Sequence, residues 1–382
     1  MRILFAGGGT GGHILPARNL ADWLRADKED HEVLFFIAGR DLENTFFEQT
    51  SWKRKPLFPG FASRPSLLNY SAWRKAVKLA RAEIGKFKPD AMILTGGYVS
   101  FPALLGRGWP RFPVYVLEQN ALAGRAVRLC AMAAKRVFCH FELTASRWKK
   151  AMVTGSPLPT SYRDTGMVMP AKARRFFRLR EGLVTLLVAG GSQGAKAVND
   201  LMLEHLPLLS QGAGGKIQVI HVTGRRDFER VRDGYKGTGI PHTVRPFVDP
   251  METAYRAADL ILCRGGGMTI AEITAMGLPA VIVPYPHHRN KHQYKNAVEI
   301  VESGGAFVVE EREFNTRAFG YCIIDTLLNP GRLEQMAKQS RGLGRLNGSR
   351  RILEVIRSDL YGHVEEPEEP DDQPYTHFKR GR

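Results

Sequence analysis

Residues 7–13 read GGGTGGH, five glycines and a histidine. They stand between an apolar run, Arg2 to Ala6, and a segment in which Ile14, Ala17, Leu20, Ala21 and Leu24 recur at helical spacing. The glycines therefore occupy a strand-to-helix turn. Such a turn aims backbone N–H groups and the positive end of a helix dipole at whatever lies above it, and a phosphate is the usual occupant. The string also satisfies G-x-G-x-x-G at Gly7, Gly9 and Gly12, the dinucleotide fingerprint, a match that carries little weight alone.

Working outward, apolar runs that read as buried parallel strands appear at Val33–Ala38, Ala91–Thr95, Val114–Leu117 and Arg136–Cys139, with helical patterns between them. That alternation is α/β. It stops near TGSPLPTSYRDTG, and a basic stretch, AKARRFFRLRE, precedes its return at LVTLLVAGGSQGA. The second half then repeats the first: strand LLVA, glycine turn GGSQGA, a helix from about Ala195, and strands IQVIHV, LILC and AVIVP. The expectation is two Rossmann-like α/β domains facing a cleft, at 1–158 and 183–340, joined by a linker at 159–182. A helical segment at 341–361 is expected to pack back on the first domain. The charged, proline-rich residues 362–382 read as a disordered tail.

A chain of 382 residues with 43% hydrophobic residues has material for two cores, and its +17 formal charge suits an acidic partner. Composition does not choose between nucleic acid, a phosphate-bearing substrate and an anionic membrane. Cys130, Cys139, Cys263 and Cys322 lack metal or disulfide spacing, which fits a reducing, cytoplasmic setting. The apolar run before the glycines is too short for a signal peptide, and no run approaches the roughly 18 apolar residues of a membrane span.

Four glycine turns carry the candidate chemistry: Gly8–His13, Gly96–Pro102 (GGYVSFP), Gly190–Ala195 (GGSQGA) and Arg264–Glu272 (RGGGMTIAE). His13 sits where a helix dipole disfavours the imidazolium, leaving the neutral ring that a general base requires; the alternative is a histidine that caps the helix or donates one hydrogen bond. Thr269 and Glu272 form T-x-x-E, either a capping box or a carboxylate that accepts hydrogen bonds from a ribose diol. His287, His288 and His292 invite a metal reading. Arg289, Lys291 and Lys295 among them argue against a bound cation, and no D-x-D occurs to hold one on a diphosphate.

GGTGGH, GGYVS, LEQNALAG, GGSQGA, RGGGMTIAE and PYPHHRNKHQYKNA resemble, in order, the motifs of the MurG family of N-acetylglucosaminyltransferases, covering about Met1 to Leu360. The resemblance implies the glycosyltransferase-B fold, with UDP-N-acetylglucosamine as donor. It implies an undecaprenyl-diphosphate-linked N-acetylmuramoyl-pentapeptide (lipid I) as acceptor, no cofactor, and a peripheral place on the cytoplasmic face of the bacterial inner membrane. Carried over by position, donor contacts fall on Thr10, Gly11, Gly12, Asn120, Ser192, Val248, Gly267, Met268, Thr269, Ile270, Ala271, Glu272 and Gln293. His13 matches the base, and Gly96, Gly97, Tyr98, Val99 and Ser100 match the acceptor-diphosphate loop. Two departures stand out: Pro159 where the family carries an arginine, and Phe101 where it carries a glycine.

Rival readings are a nicotinamide oxidoreductase, which leaves the second glycine turn and its carboxylate helix unexplained, and a nucleic-acid binder, for which no recognition motif is present. A UDP-N-acetylglucosamine 2-epimerase of the same fold is the nearest competitor. Membrane contact is expected at Ser66–Lys88. On a helix, Trp73, Ala76, Val77, Ala80, Ile84 and Phe87 make one stripe, with Arg74, Lys75 and Lys78 among the basic residues outside it. The same stripe would equally serve to pack the helix on the sheet.

Overall fold

The computed structural model describes residues 1–26, 30–48, 50–61, 65–66, 68–108, 112–162, 170–191, 193–287, 290–313 and 317–362. Among the described residues the chain divides into two compact units: 1–160 with 346–362, and 161–345.

The first unit runs β1 (Arg2–Gly7), α1 (Gly11–Arg25), β2 (Glu32–Ile37), α2 (Asp41–Thr45), β3 (Lys53–Pro56), α3 (Tyr70–Phe87), β4 (Ala91–Gly96), α4 (Ser100–Gly106), β5 (Val114–Glu118), α5 (Arg125–Ala133), β6 (Arg136–Cys139), α6 (Glu142–Ala145) and β7 (Ala151–Val153). The seven strands form one parallel sheet in the order β3-β2-β1-β4-β5-β6-β7. The order reverses between β1 and β4, the kind of switch point above which open α/β sheets bind ligands. Both faces are covered, which is why β1, β2 and β4 are nearly continuous apolar runs. Ala76, Ala80 and Ile84 of α3, Ala103 of α4 and Val127 of α5 pack one face. Ile14, Ala17 and Leu20 of α1 pack the other, against Phe5, Phe35 and Tyr115.

The second unit runs α7 (Pro170–Phe176), β8 (Val184–Ala189), α8 (Lys196–Gly212), β9 (Ile217–Val222), α9 (Phe228–Gly234), β10 (His242–Arg245), α10 (Glu252–Ala257), β11 (Leu260–Cys263), α11 (Gly267–Met276), β12 (Ala280–Ile282), α12 (His292–Glu302), β13 (Ala306–Val308), α13 (Arg317–Leu328) and α14 (Pro330–Gly342). Its six parallel strands are ordered β10-β9-β8-β11-β12-β13, so the switch point lies between β8 and β11. Much of the stretch read as a linker belongs here: α7 is held by Arg174, which pairs with Asp259 at 2.7 Å and donates to the Ala257 carbonyl at 3.1 Å. Residues 341–345 also stay with this unit, Gly344 lying against the Thr274 carbonyl.

The last described helix, α15 (Gly348–Tyr361), returns to the first unit. Ile352, Leu353 and Ile356 enter the α1 face of its core, and Asp359 pairs with Arg136 (3.0 Å) and Lys135 (3.1 Å). Residues 363–382, the expected tail, lie outside the described residues. Among the described residues no helix is long and apolar enough to cross a membrane.

Candidate active site

The first unit's candidate residues collect at the carboxyl ends of three neighbouring strands, β1, β4 and β5. Helix α1 starts at Gly11, so the first-turn amides of Gly11 and Gly12 are among those a helix leaves without an intrahelical partner. Thr10 is the N-cap residue, and no side chain caps the helix. His13 therefore does not cap. Its Nδ1 lies 2.8 Å from the Thr95 carbonyl, and the Thr95 hydroxyl donates to the His13 carbonyl at 2.6 Å. A carbonyl only accepts, so Nδ1 carries the proton and Nε2 presents its lone pair. Burial lowers the His13 pKa, opposed by the bond to Thr95.

The GGYVS loop is built around that ring. Gly96 and Gly97 have φ of +94° and +73°, and a Cβ at Gly96 would come within 3.0 Å of His13 Cε1. At Gly97 it would meet the Gly8 carbonyl at 2.4 Å. Glycine here satisfies both a left-handed backbone and close contact with the His13 ring. Val99 and Ser100 are fully buried. The Ser100 hydroxyl accepts from Gly96 N–H at 3.1 Å and lies 2.9 Å from the Ala6 and Gly96 carbonyls, so it braces the loop rather than facing a ligand. The Tyr98 ring packs against Phe58, 5.3 Å between centroids.

Two carboxylates that the sequence reading did not single out organise these turns. Glu43, 1% exposed, accepts N–H groups of Gly9 (2.6 Å), Gly39 (2.7 Å) and Arg40 (3.1 Å), while Arg40 donates to the Gly9 carbonyl at 2.8 Å. The Gly9 amide is thus committed inside the protein, and the outward donors of the turn shift towards the start of α1. Glu118, at the end of β5, accepts from the backbone and side-chain amides of Asn120 (2.9 and 3.0 Å) and from Gly124 N–H (3.1 Å). Burial pushes its pKa up, against the pull of those bonds. The sequence signal for both was a lone Glu two or more residues from a glycine or asparagine turn, which nothing separates from a surface carboxylate.

In the second unit, GGSQGA follows β8 and RGGG follows the adjacent β11. Gly194, at φ +75°, lies so close to the end of β9 that a Cβ would come within 2.2 Å of the Thr223 carbonyl. Ser192 lies outside the described residues, as do His288 and Arg289. Helix α11 starts at Gly267 with Gly266 as its N-cap. Thr269 is consequently inside the first turn, and the capping-box reading of T-x-x-E does not apply. Glu272 instead accepts a 2.7 Å hydrogen bond from the Tyr255 hydroxyl at Oε2. Burial pushes its pKa up to about 7.

Ile270 and Ala271 are buried in the core, and Gly267, Met268 and Val248 are buried as well, which leaves Thr269 and Glu272, both half-buried, as the members of that group that reach the surface. Gln293, in the first turn of α12, accepts from Tyr285 N–H at 2.8 Å, and Asn296 of the same helix donates to the Gly265 carbonyl at 2.9 Å. Asn296 thus braces the RGGG turn, and Gln293 ties its helix to the segment at Tyr285. Among the described residues, no three His, Cys, Asp or Glu side chains gather as a metal set.

Family models place the glycosyltransferase family 28 N-terminal domain on residues 3–139 and the C-terminal domain on residues 185–355. The UDP-N-acetylglucosamine–N-acetylmuramyl-(pentapeptide) pyrophosphoryl-undecaprenol N-acetylglucosamine transferase of Geobacter metallireducens is 34% identical over 93% of this chain and 98% of its own length. The enzyme of that name from Halothermothrix orenii is 33% identical over 95% and 100%. The crystal structure of Acinetobacter baumannii MurG matches with a TM-score of 0.72 at 25% identity, over 94% of this chain and 99% of that one. The Staphylococcus aureus MnaA–UDP structure, at 16% identity and a TM-score of 0.68, shares the fold. On these matches the chain belongs to the MurG group of glycosyltransferase family 28.

Proposed function

We propose that this hexosyltransferase moves N-acetylglucosamine from UDP-N-acetylglucosamine to the C4 hydroxyl of the N-acetylmuramoyl unit of lipid I, the step that makes lipid II in peptidoglycan synthesis, with His13 as general base. The observation that carries the assignment of the base is the bond from His13 Nδ1 to the Thr95 carbonyl, which fixes the tautomer and turns a bare Nε2 towards the turn. Nε2 takes the proton as the C4 oxygen attacks the anomeric carbon, and UDP departs from the opposite face with inversion. The acceptor diphosphate rests on the first unit's turns, at the amides of Gly11, Gly12, Gly96 and Gly97. Tyr98 and Val99 shape that loop.

The donor is read onto the second unit, with Glu272 on the ribose diol and Gly267, Thr269 and Gln293 beside it. Amides of the GGSQGA turn and the Ser192 hydroxyl meet the charge that develops on the leaving diphosphate. A transfer assay with labelled donor and a lipid I analogue tests the whole reading: a disaccharide-lipid supports it, and N-acetylmannosamine with no lipid-linked product would assign the chain to epimerase chemistry.

The lipid-borne acceptor calls for a membrane contact, and α3 is the surface we assign to it. Its Ala72, Ala76, Ala80 and Ile84 are buried against the sheet, and Trp73 is half-buried against Phe58 and Phe101, so the apolar stripe is used internally. Arg74, Lys75 and Lys78 are exposed, with Leu68 and Tyr70 at the helix start 93% and 70% exposed. Leu67 and Trp109 lie outside the described residues. Each exposed cation near an anionic surface contributes about 1 kcal/mol. Charge reversal at Arg74, Lys75 and Lys78 should lower sedimentation with anionic vesicles by at least about tenfold at low salt. Equal sedimentation of the variant and the parent would move the membrane contact elsewhere.

A further inference from the structure

The RGGG turn of the second unit carries an unusual concentration of buried ionisable groups behind Glu272. Tyr255, on α10, is 4% exposed, and its hydroxyl donates to Glu272 Oε2 at 2.7 Å. Glu252, three residues earlier on the same helix, and Tyr162, at the end of the short turn Thr160–Tyr162, are also buried, at 8% and 2% exposure. Cys263 closes the group from the end of β11. Arg256 on α10 is the cation whose field reaches Tyr162. A carboxylate in this setting has one fixed donor, the Tyr255 hydroxyl, and one acidic neighbour, Glu252, working against its charge.

We propose that Tyr255 is the positioning residue of the ribose-binding carboxylate: its hydroxyl commits Glu272 Oε2 and so reserves Oε1 for the vicinal diol of a nucleoside. This rests on the reading of Glu272 as the ribose ligand. The two hydroxyls of a ribose donate most strongly to a carboxylate that is ionised and whose plane is held, and a phenol that donates to the second oxygen serves both conditions. With the Glu272 carboxyl pushed up to about 7 by burial, donor affinity should depend on pH across neutrality, increasing as the pH rises and the group ionises. The Tyr255 bond pulls that midpoint down; removing it lets the midpoint rise. Phenylalanine keeps the ring packing and deletes only the hydroxyl.

The test is calorimetric binding of UDP-N-acetylglucosamine, whose diphosphate diester does not titrate in the range used, from about pH 5.5 to about 8.5. The parent should bind more tightly as pH rises, with a midpoint near 7. In Tyr255→Phe the midpoint should move up by about one pH unit, so that binding near neutrality weakens several-fold and recovers towards the parent's at high pH. With 3-fluorotyrosine at position 255, a stronger hydroxyl donor, the midpoint should move down, and this second substitution does not remove a buried group. Midpoints unmoved in both proteins would overturn the proposal. Glu272→Gln separates the underlying reading: it should bind weakly with a flat pH profile, and unchanged affinity in that variant would remove Glu272 from the donor site, whatever Tyr255 does.

Discussion

Each unit ends a strand beside its switch point in a glycine turn that leads into a helix, yet the two turns present opposite chemistries. After β1 the first helical turn brings His13, a base; after β11 the second turn of α11 brings Glu272, an acid. Burial acts on both against the charged form, lowering the imidazolium pKa and raising the carboxyl pKa. What differs is the partner each is given. His13 donates to a carbonyl, that of Thr95, which fixes Nδ1 as the protonated nitrogen; Glu272 accepts from a hydroxyl, that of Tyr255, which occupies Oε2. In each case the partner works against burial, the Thr95 carbonyl raising the imidazolium pKa and the Tyr255 hydroxyl lowering the carboxyl pKa, so burial sets the direction of both shifts and the partner fixes which atom is left open.

Removing the base should give the largest effect. His13→Ala is expected to lower kcat by about 10²–10⁴-fold while leaving UDP-N-acetylglucosamine affinity unchanged, because the carboxylate proposed for the ribose, Glu272, belongs to the second unit. Steady-state kinetics with a lipid I analogue, beside calorimetry of donor binding, measures both. A variant that turns over normally would reduce His13 to a packing partner for Gly96 and Gly97, and the contrast between the two turns would disappear. The acid limb of kcat at saturating donor should also lie below 6.5, since burial lowers the His13 pKa from that value.

Gly96→Ala sharpens the comparison without touching the imidazole. The residue holds φ +94°, and the added Cβ would press on Cε1 and Nδ1 of His13. A strained backbone costs about 1–3 kcal/mol, and a base displaced by a fraction of an ångström loses about tenfold to a hundredfold in rate. Thermal melts and kcat should therefore fall together, with donor binding spared. A fall in melting temperature with kcat intact would show that the loop does not position the base.

The strands of both sheet centres were legible because buried parallel strands are continuous apolar runs. The edge strands were not: β3 is Lys53–Pro56, polar and exposed, and β7, β10 and β13 are three or four residues long, held by register with a neighbour. At the site, the glycine turns announced themselves because left-handed backbone and close approach demand glycine. Glu43, Glu118 and Tyr255 did not, because their roles depend on which amide or carboxylate the fold brings to them from up to 34 residues away. T-x-x-E was a faithful sequence pattern that the structure used for something else: the helix starts two residues before Thr269, so the glutamate falls on the second turn and meets Tyr255.

The smallest expected effect is the most discriminating, because it sets stability against binding at one residue. In the fold the Glu272 carboxyl holds its proton up to about pH 7, whereas in the unfolded chain it does so only to about 4.5. Unfolding therefore releases a proton across that window, and the folded state loses stability as the pH rises through it, with no further loss above about 7. Glutamine keeps an acceptor for Tyr255 and cannot ionise. Glu272→Gln should consequently be more stable than the parent at pH 8, by on the order of 1–3 kcal/mol, and the gain should shrink towards zero as the pH falls to 4.5. The same variant should bind donor about tenfold more weakly or worse, since a charge-assisted bond to the diol is lost. Denaturant melts at the two pH values, beside donor titrations, measure both quantities. A gain in stability with a loss of binding marks a carboxylate kept charged for its ligand at the expense of the fold. Lower stability at both pH values would make Glu272 a structural partner of Tyr255, and the opposition between the base of one unit and the acid of the other would then be one of packing alone.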